Sequence, residues 1–158
     1  MCTRERLNEA SSCSTGIVSG TVHQCDVTDR SQIERAFDES RDANGPIEML
    51  VVNAGIAESA PFHKMTRDSW DRIIATNLTA AFDCAQAAIH DLLVSENGRL
   101  VFVASVASLR GVPYAAHYAA SKHGLLGLMR SLAAEYFDAA KVLTSLLDRV
   151  GAARPTGD

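Results

Sequence analysis

A chain of 158 residues is one domain's worth, and a domain of about 150 residues hides roughly 68–70% of its unfolded surface, enough for a true core. Apolar residues at 47%, charged residues at 22% and a formal net charge of −4 describe an ordinary soluble chain. The acidic balance and the lack of a basic run weigh against nucleic acid or an anionic membrane surface as partner, and no apolar stretch of about 18 residues is present to span a bilayer.

The opening "MCTRERLNEA" is charged and has no apolar centre, so it does not read as a secretory signal. Cys2, Cys13, Cys25 and Cys84 have no metal-ligand or redox spacing. Free thiols in a reducing compartment follow, with a cytoplasmic location and no metal. "RERLNEA", Arg4 to Ala10, reads as a short polar helix, and residues 1–20 as a flexible segment rich in Ser and Gly toward its end. "TVHQC", Thr21 to Cys25, reads as a short strand that ends in an acidic turn. Thr28 or Asp29 is placed to cap a helix from about Arg30 to Ala43, with Ile33, Ala36 and Phe37 on one face.

"ANGP" breaks the chain, and "IEMLVVNAG" is an apolar run closed by Asn and Gly, suited to a buried parallel strand. Thr66 or Asp68 is placed to cap the clearest periodic segment, a helix from about Arg67 to Val94. Its stripe is Trp70, Ile74, Leu78, Ala81, Ala85, Ile89 and Leu92. A turn at "ENG" leads into another buried strand, Leu100 to Ala104. A last helix starts near Ala115 and runs past Leu132. Gly124 and Gly127 within it lower helix propensity and mark a close helix–helix contact. Strand and helix alternate, which specifies a parallel α/β sheet with crossover helices in a single domain.

In such sheets ligands sit outside the carboxyl ends of the strands. Those ends carry Asp26, Asn53-Ala54-Gly55 and Ser105. Each has a plain alternative: Asp26 as a turn cap, Gly55 as a tight turn, Ser105 as one more loop serine. Tyr118 and Lys122, four apart at the start of the last helix, share a face. A phenol ordinarily titrates near 10. Proton transfer by it near neutrality therefore calls for a dehydrated lysine or a second positive charge beside it, since an exposed ion pair contributes only about 0–1 kcal/mol. Asn77 lies at the edge of its helix's apolar stripe. It is either an amide that bends the helix or an anchor for a water or for backbone near the site.

"CDVTD", "NAG", "ATNL" and "YAASK", in that order and with Ser105 lying 13 positions before Tyr118, together resemble the short-chain dehydrogenase/reductase family over roughly Thr21 to Tyr136. The resemblance implies a Rossmann-like, doubly wound parallel sheet and hydride transfer between NAD or NADP and a small alcohol or carbonyl substrate. It implies that Tyr118 gives or takes the hydroxyl proton. Lys122 tunes the tyrosine and holds the nicotinamide ribose, Ser105 polarises the substrate oxygen, and Asn77 orders a water in a relay that ends at Lys122. Asp26 and Val27 flank the adenine, and Asn53, Ala54 and Gly55 line the adenosine side. Tyr114 and Ser108 are decoys by spacing, and His117 and His123 take structural or solvent roles. The resemblance also allows a homo-oligomer through the two long helices.

Two departures set further expectations. The glycine-rich loop of that family follows a buried first strand, whereas "STGIVSGTV", with Thr15, Gly16 and Gly20, follows "NEASSC" and precedes Asp26 by only six residues from Gly20. The chain therefore reads as a partial domain of about three strands that begins after the family's second strand and binds dinucleotide weakly or not at all. In the order 3-2-1-4-5-6 the strand ending at Cys25 is third and has lost its neighbours, so it collapses onto the fourth, hangs loose or pairs with another chain. Residues 139–158 read as a divergent tail, with Leu143, Leu146, Leu147 and Val150 on a helix and no recognisable sixth strand. A catalytically silent fragment that acts through helix association is the alternative function.

Overall fold

The computed structural model describes residues 20–136 and the strand Val142–Ser145. The polar helix expected at Arg4 to Ala10, the loop at Thr15 and Gly16, and the helical positions Leu146, Leu147 and Val150 lie outside the described residues. Helix α1 spans Arg30–Asn44, strand β1 Met49–Val52, helix α2 Arg67–Ile74, helix α3 Ala80–Val94, strand β2 Arg99–Val103, helix α4 Ala116–Glu135 and strand β3 Val142–Ser145. The strands form one parallel sheet in the order β1-β2-β3. Val51 pairs with Val101, and Val101 with Leu143. The fold is an incomplete Rossmann-like α/β sheet with long flanking helices.

Local chemistry sets the helix ends. Asp29 caps α1 by accepting the Ser31 N–H at 3.0 Å, and Thr66 caps α2 by accepting the Ser69 N–H at 3.1 Å. Past α1, Gly45 takes a left-handed φ of 84°, and its N–H closes on the Arg41 carbonyl at 2.8 Å. Arg41 then ties α1 to α3 through Asp91 Oδ2 at 2.8 Å and the Ala87 carbonyl at 2.6 Å.

The core is Val52, Leu100 and Phe102 from the strands, Ala81, Ala85, Ala88 and Leu92 from α3, and Leu125 from α4. Small alanines along α3 let that helix lie close on the sheet, where Phe102 fills the space at 0% exposure. Burial is one-sided. Met49 and Val51, on the opposite pleat of β1, are 62% and 53% exposed. β1 was expected to be buried throughout. Among the described residues the helices that contact β1 and β2 belong to a single layer, so only every second side chain of β1 is covered.

Three other expectations are corrected. Residues 21–25 do not form a strand. They are irregular and lie along α1, held by side chains: Thr21 Oγ1 accepts from Asn44 Nδ2 at 2.9 Å, and His23 Nδ1 meets Glu39 Oε2 at 2.8 Å. With no ladder partner alongside, an extended segment has nowhere to place its backbone groups except water and side chains. The helix read through Leu143 is strand β3, paired with β2, because a free ladder edge outweighs the weak helical spacing of that stretch. It occupies the place where no sixth strand was recognisable. The long helix from Arg67 to Val94 exists but is interrupted by a five-residue π-turn, Ala75–Thr79. Its most buried members before that turn's end are Ile73 and Asn77, while Ile74 and Leu78 are half-buried. Gly124 makes the expected close contact within the chain: a Cβ there would stand 2.7 Å from Leu78 Cδ2. Gly127 faces open space, and no helix among the described residues is long and apolar enough to cross a membrane.

Candidate active site

The carboxyl ends of β1 and β2 and the first two turns of α4 line a small cleft that opens to solvent. Asn53, Gly55, Tyr118 and Lys122, four of the residues singled out in the sequence, line it together with Val103 and Ala104 at the end of β2. Ala54 is exposed and is not among the lining residues. Asp26 and Val27 lie in the turn ahead of α1. There Asp26 Oδ1 accepts from Thr28 N at 2.9 Å and Thr28 Oγ1 at 2.7 Å, and these bonds hold its carboxyl below the usual carboxylate range. That geometry is a turn cap.

Lys122 is buried at 6% exposure. Its Nζ donates to the Val103 carbonyl at 3.0 Å and lies 5.9 Å from the centre of the Tyr118 ring. A buried ammonium needs such acceptors, and β2 supplies one where its last carbonyl leaves the ladder. Tyr118 stands in the first turn of α4, where the helix dipole carries partial positive charge.

Asn77 ties the loop after β1 to α4. At 1% exposure, its Oδ1 accepts the Ile56 N–H at 2.8 Å, and its Nδ2 donates to the Ile56 carbonyl at 2.9 Å and to Ser121 Oγ at 3.1 Å. Ser121 Oγ donates in turn to the Tyr118 carbonyl at 2.8 Å. Asn77 therefore sits in the π-turn and anchors backbone at the site. Gly55 packs tightly on the same amide: a Cβ there would lie 3.2 Å from Asn77 Oδ1, closer than most side-chain contacts, and at an ordinary 3.8 Å from Lys122 Nζ.

Ser105 follows the cleft-lining Ala104 and is 7% exposed. Its Oγ accepts the Ala107 N–H at 3.2 Å, while Ser108 Oγ accepts the Ser105 N–H at 3.3 Å. Ser108, a decoy by spacing, is the partner that fixes Ser105. Among the described residues no hydrogen bond joins Ser105 to Tyr118. Tyr114, the other decoy, acts through its backbone: at a φ of 63° its carbonyl accepts the Ala60 N–H at 2.7 Å and pins the loop after β1. Glu58 in that loop accepts from Ser69 Oγ at 2.7 Å and from Arg72 Nη2 at 2.6 Å, and these bonds keep its carboxyl below the usual range.

The sequence reading gave no role to Ser121 or Glu58. Ser121 had a usable signal, since it lies three residues after Tyr118 on the helix face that turns toward Asn77. Glu58 had none, because its partners are 11 and 14 residues away across a loop.

Comparison with known proteins identifies the family. A family model described as short chain dehydrogenase matches residues 3–143. The 3-oxoacyl-[acyl-carrier-protein] reductase MabA of Mycobacterium tuberculosis is 41% identical over 112 residues, 71% of this chain and 45% of the relative. The inactive 2-(S)-hydroxypropyl-CoM dehydrogenase 2 of Xanthobacter autotrophicus is 40% identical over 111 residues, 70% of this chain and 48% of the relative. A crystal structure of a short chain dehydrogenase from Mycobacterium smegmatis superposes with a TM-score of 0.82 at 27% identity, covering 91% of this chain and 62% of that one. The chain thus spans about half the length of the curated relatives it matches. By motif order, fold and family match alike, it belongs to the short-chain dehydrogenase family.

Proposed function

We propose that this chain carries the proton-transfer site of an NAD(P)-dependent oxidoreductase that interconverts an alcohol and a ketone, with Tyr118 as the acid/base and a 3-oxoacyl thioester as the carbonyl substrate class. The observation that carries this reading is the buried Lys122, held by the Val103 carbonyl beside Tyr118 and facing a glycine strand end. The substrate class rests on the name of the 41% identical reductase.

The residues present fit the ribose and nicotinamide side of a dinucleotide. The Lys122 ammonium and the Asn53 amide offer polar groups to a ribose, and Gly55 keeps the wall between them free of a side chain. When bound, the nicotinamide supplies or takes the hydride. In reduction, Tyr118 hands its phenolic proton to the carbonyl oxygen as charge develops there, and Lys122 and the α4 N-terminus stabilise the phenolate that remains. Ser105, whose oxygen accepts from Ala107, keeps its own proton to donate to the same oxygen. Asn77 keeps Ile56, and with it the Gly55 wall, at a fixed distance from Lys122.

The test is reduction of acetoacetyl-CoA, a soluble 3-oxoacyl thioester, with NADH and with NADPH, alongside calorimetry of each dinucleotide. Tyr118→Phe is expected to abolish turnover and leave the dinucleotide Kd within about twofold, because the ring is kept and only the transferable proton is lost. Near-normal turnover in that variant overturns the reading. Absence of both turnover and dinucleotide binding in the unmodified chain supports instead a catalytically silent member.

A further inference from the structure

His117, next to the proposed acid/base, is a buried titratable side chain that the chemistry above does not use; it is 0% exposed. The start of α4 shows what occupies it. Ala115 holds the N-cap position and has no side-chain acceptor, and the first intrahelical bond is Ala119 N–H to the Ala115 carbonyl at 2.8 Å. The Tyr118 N–H is one of the leading donors that a helix leaves without an intrahelical partner. It donates instead to His117 Nδ1 at 2.9 Å. That bond sets the tautomer. Nδ1 presents its lone pair, so the neutral ring carries its proton on Nε2, which is buried with no hydrogen-bond partner among the described residues.

We infer that His117 is a positioning residue for Tyr118: its neutral imidazole takes the N–H that Ala115 cannot, and so holds the first turn of α4, with the phenol, against the cleft. The inference rests on the reading of Tyr118 as the acid/base. The surroundings keep the ring neutral. Burial is the largest influence and pushes the imidazole below its usual 6.5. Of the charged groups that act on it, Glu58 in the loop after β1 favours the cation and Arg72 in α2 opposes it. Glu58 is already engaged by Ser69 and Arg72. Protonation would place an N–H on Nδ1 against the Tyr118 N–H and remove the cap. A histidine whose folded value is depressed contributes fully above its unfolded value, and that contribution is lost as pH falls through the folded one.

The experiment uses the full chain, labelled with ¹⁵N, and three variants. His117→Asn keeps an acceptor where Nδ1 stands, His117→Gln moves the amide to the Nε2 end, and His117→Ala removes both. Long-range ¹H–¹⁵N correlation reads the ring tautomer, and amide exchange at Tyr118, taken relative to Phe102, reads the cap apart from global stability. The wild-type ring is expected as the Nε2–H form. Tyr118 exchange is expected to rise about fivefold in the Gln and Ala variants and to stay near wild type in the Asn variant. With acetoacetyl-CoA, kcat is expected to fall about tenfold in Gln and Ala with KM little changed, and to recover in Asn. A ring protonated on Nδ1, or an Asn variant whose Tyr118 exchange matches Ala, overturns the inference. Where a variant does not fold, the wild-type tautomer decides. Tyr118→Phe separates the two levels: normal turnover there ends the acid/base reading, while the tautomer and exchange still judge the cap.

Discussion

Truncating Asn77 to alanine removes three hydrogen bonds from a residue that is 1% exposed: those from Ile56 N–H at 2.8 Å, to the Ile56 carbonyl at 2.9 Å and to Ser121 Oγ at 3.1 Å. Each such bond contributes about 1 kcal/mol net, and a buried partner left alone costs about 1–3 kcal/mol. Ile56 is half-buried, so water recovers part of its loss. Ser121 is fully buried but keeps its bond to the Tyr118 carbonyl. The sum is a destabilisation of about 3 kcal/mol, which at a urea m-value of about 2 kcal/mol/M lowers the midpoint by about 1.5 M. The chain has a single tryptophan, Trp70, in the helix that enters the π-turn. Its fluorescence reports the transition directly. A loss below about 1 kcal/mol would mean that Asn77 is not the clamp described, because that is less than a single such bond typically contributes.

Two further outcomes are expected. Gly127→Ala, an exposed mid-helix site with nothing within 4 Å of the added Cβ, should raise stability by about 0.5–1 kcal/mol. Gly124→Ala gains the same propensity but drives its Cβ to 2.7 Å from Leu78 Cδ2. Overpacking of that kind costs about 1–3 kcal/mol, so a net loss is expected, and equal urea midpoints for the two variants would contradict the packing at the π-turn. Asp29, held down to about 2 by bonds from Ser31 and then Gln32, favours the folded state as a carboxylate. Its contribution is present above the usual 3.8, and it is lost as pH falls toward about 2. A carboxyl ¹³C titration that places its midpoint near 4 would remove Asp29 as the functional cap of α1.

What the sequence made legible and what it did not divide along a physical line. Caps and periodicity are local, so Asp29 and Thr66, each one of two candidates, the bounds of α1 and β2 and the start of α4 were readable to within a residue or so, while the run read for β1, 47–55, overshot Met49–Val52 at both ends. Tyr118 and Lys122 were readable because one helix turn sets their relation. Residues 21–25 and Val142–Ser145 were misread in opposite directions for one reason: whether a short stretch becomes a strand depends on a ladder partner far away in the chain, and spacing carries no record of it. Asn77 was readable as an anomaly, but its partner Ile56 is 21 residues away, so its two alternatives stayed open until the loop was placed beside it. His117 offered no signal, since its use follows from an alanine two positions earlier that fails to cap.

The π-turn also has a bearing on phase. At about 100° per residue, the 19 steps from Ile73 to Leu92 would turn a uniform α-helix through five full circles and about 100° more, so these two buried residues would look in different directions. A turn that takes in one extra residue reduces the count to an effective 18 steps, about five whole circles, so both side chains leave the segment on the same side. Ala75–Thr79 thus works as a phase corrector between two tasks of one helical segment. From within the turn Asn77 reaches the loop at the cleft, and downstream Ala81, Ala85, Ala88 and Leu92 stay flush with the sheet. Removing a single residue from it would rotate one of those tasks out of register with the other.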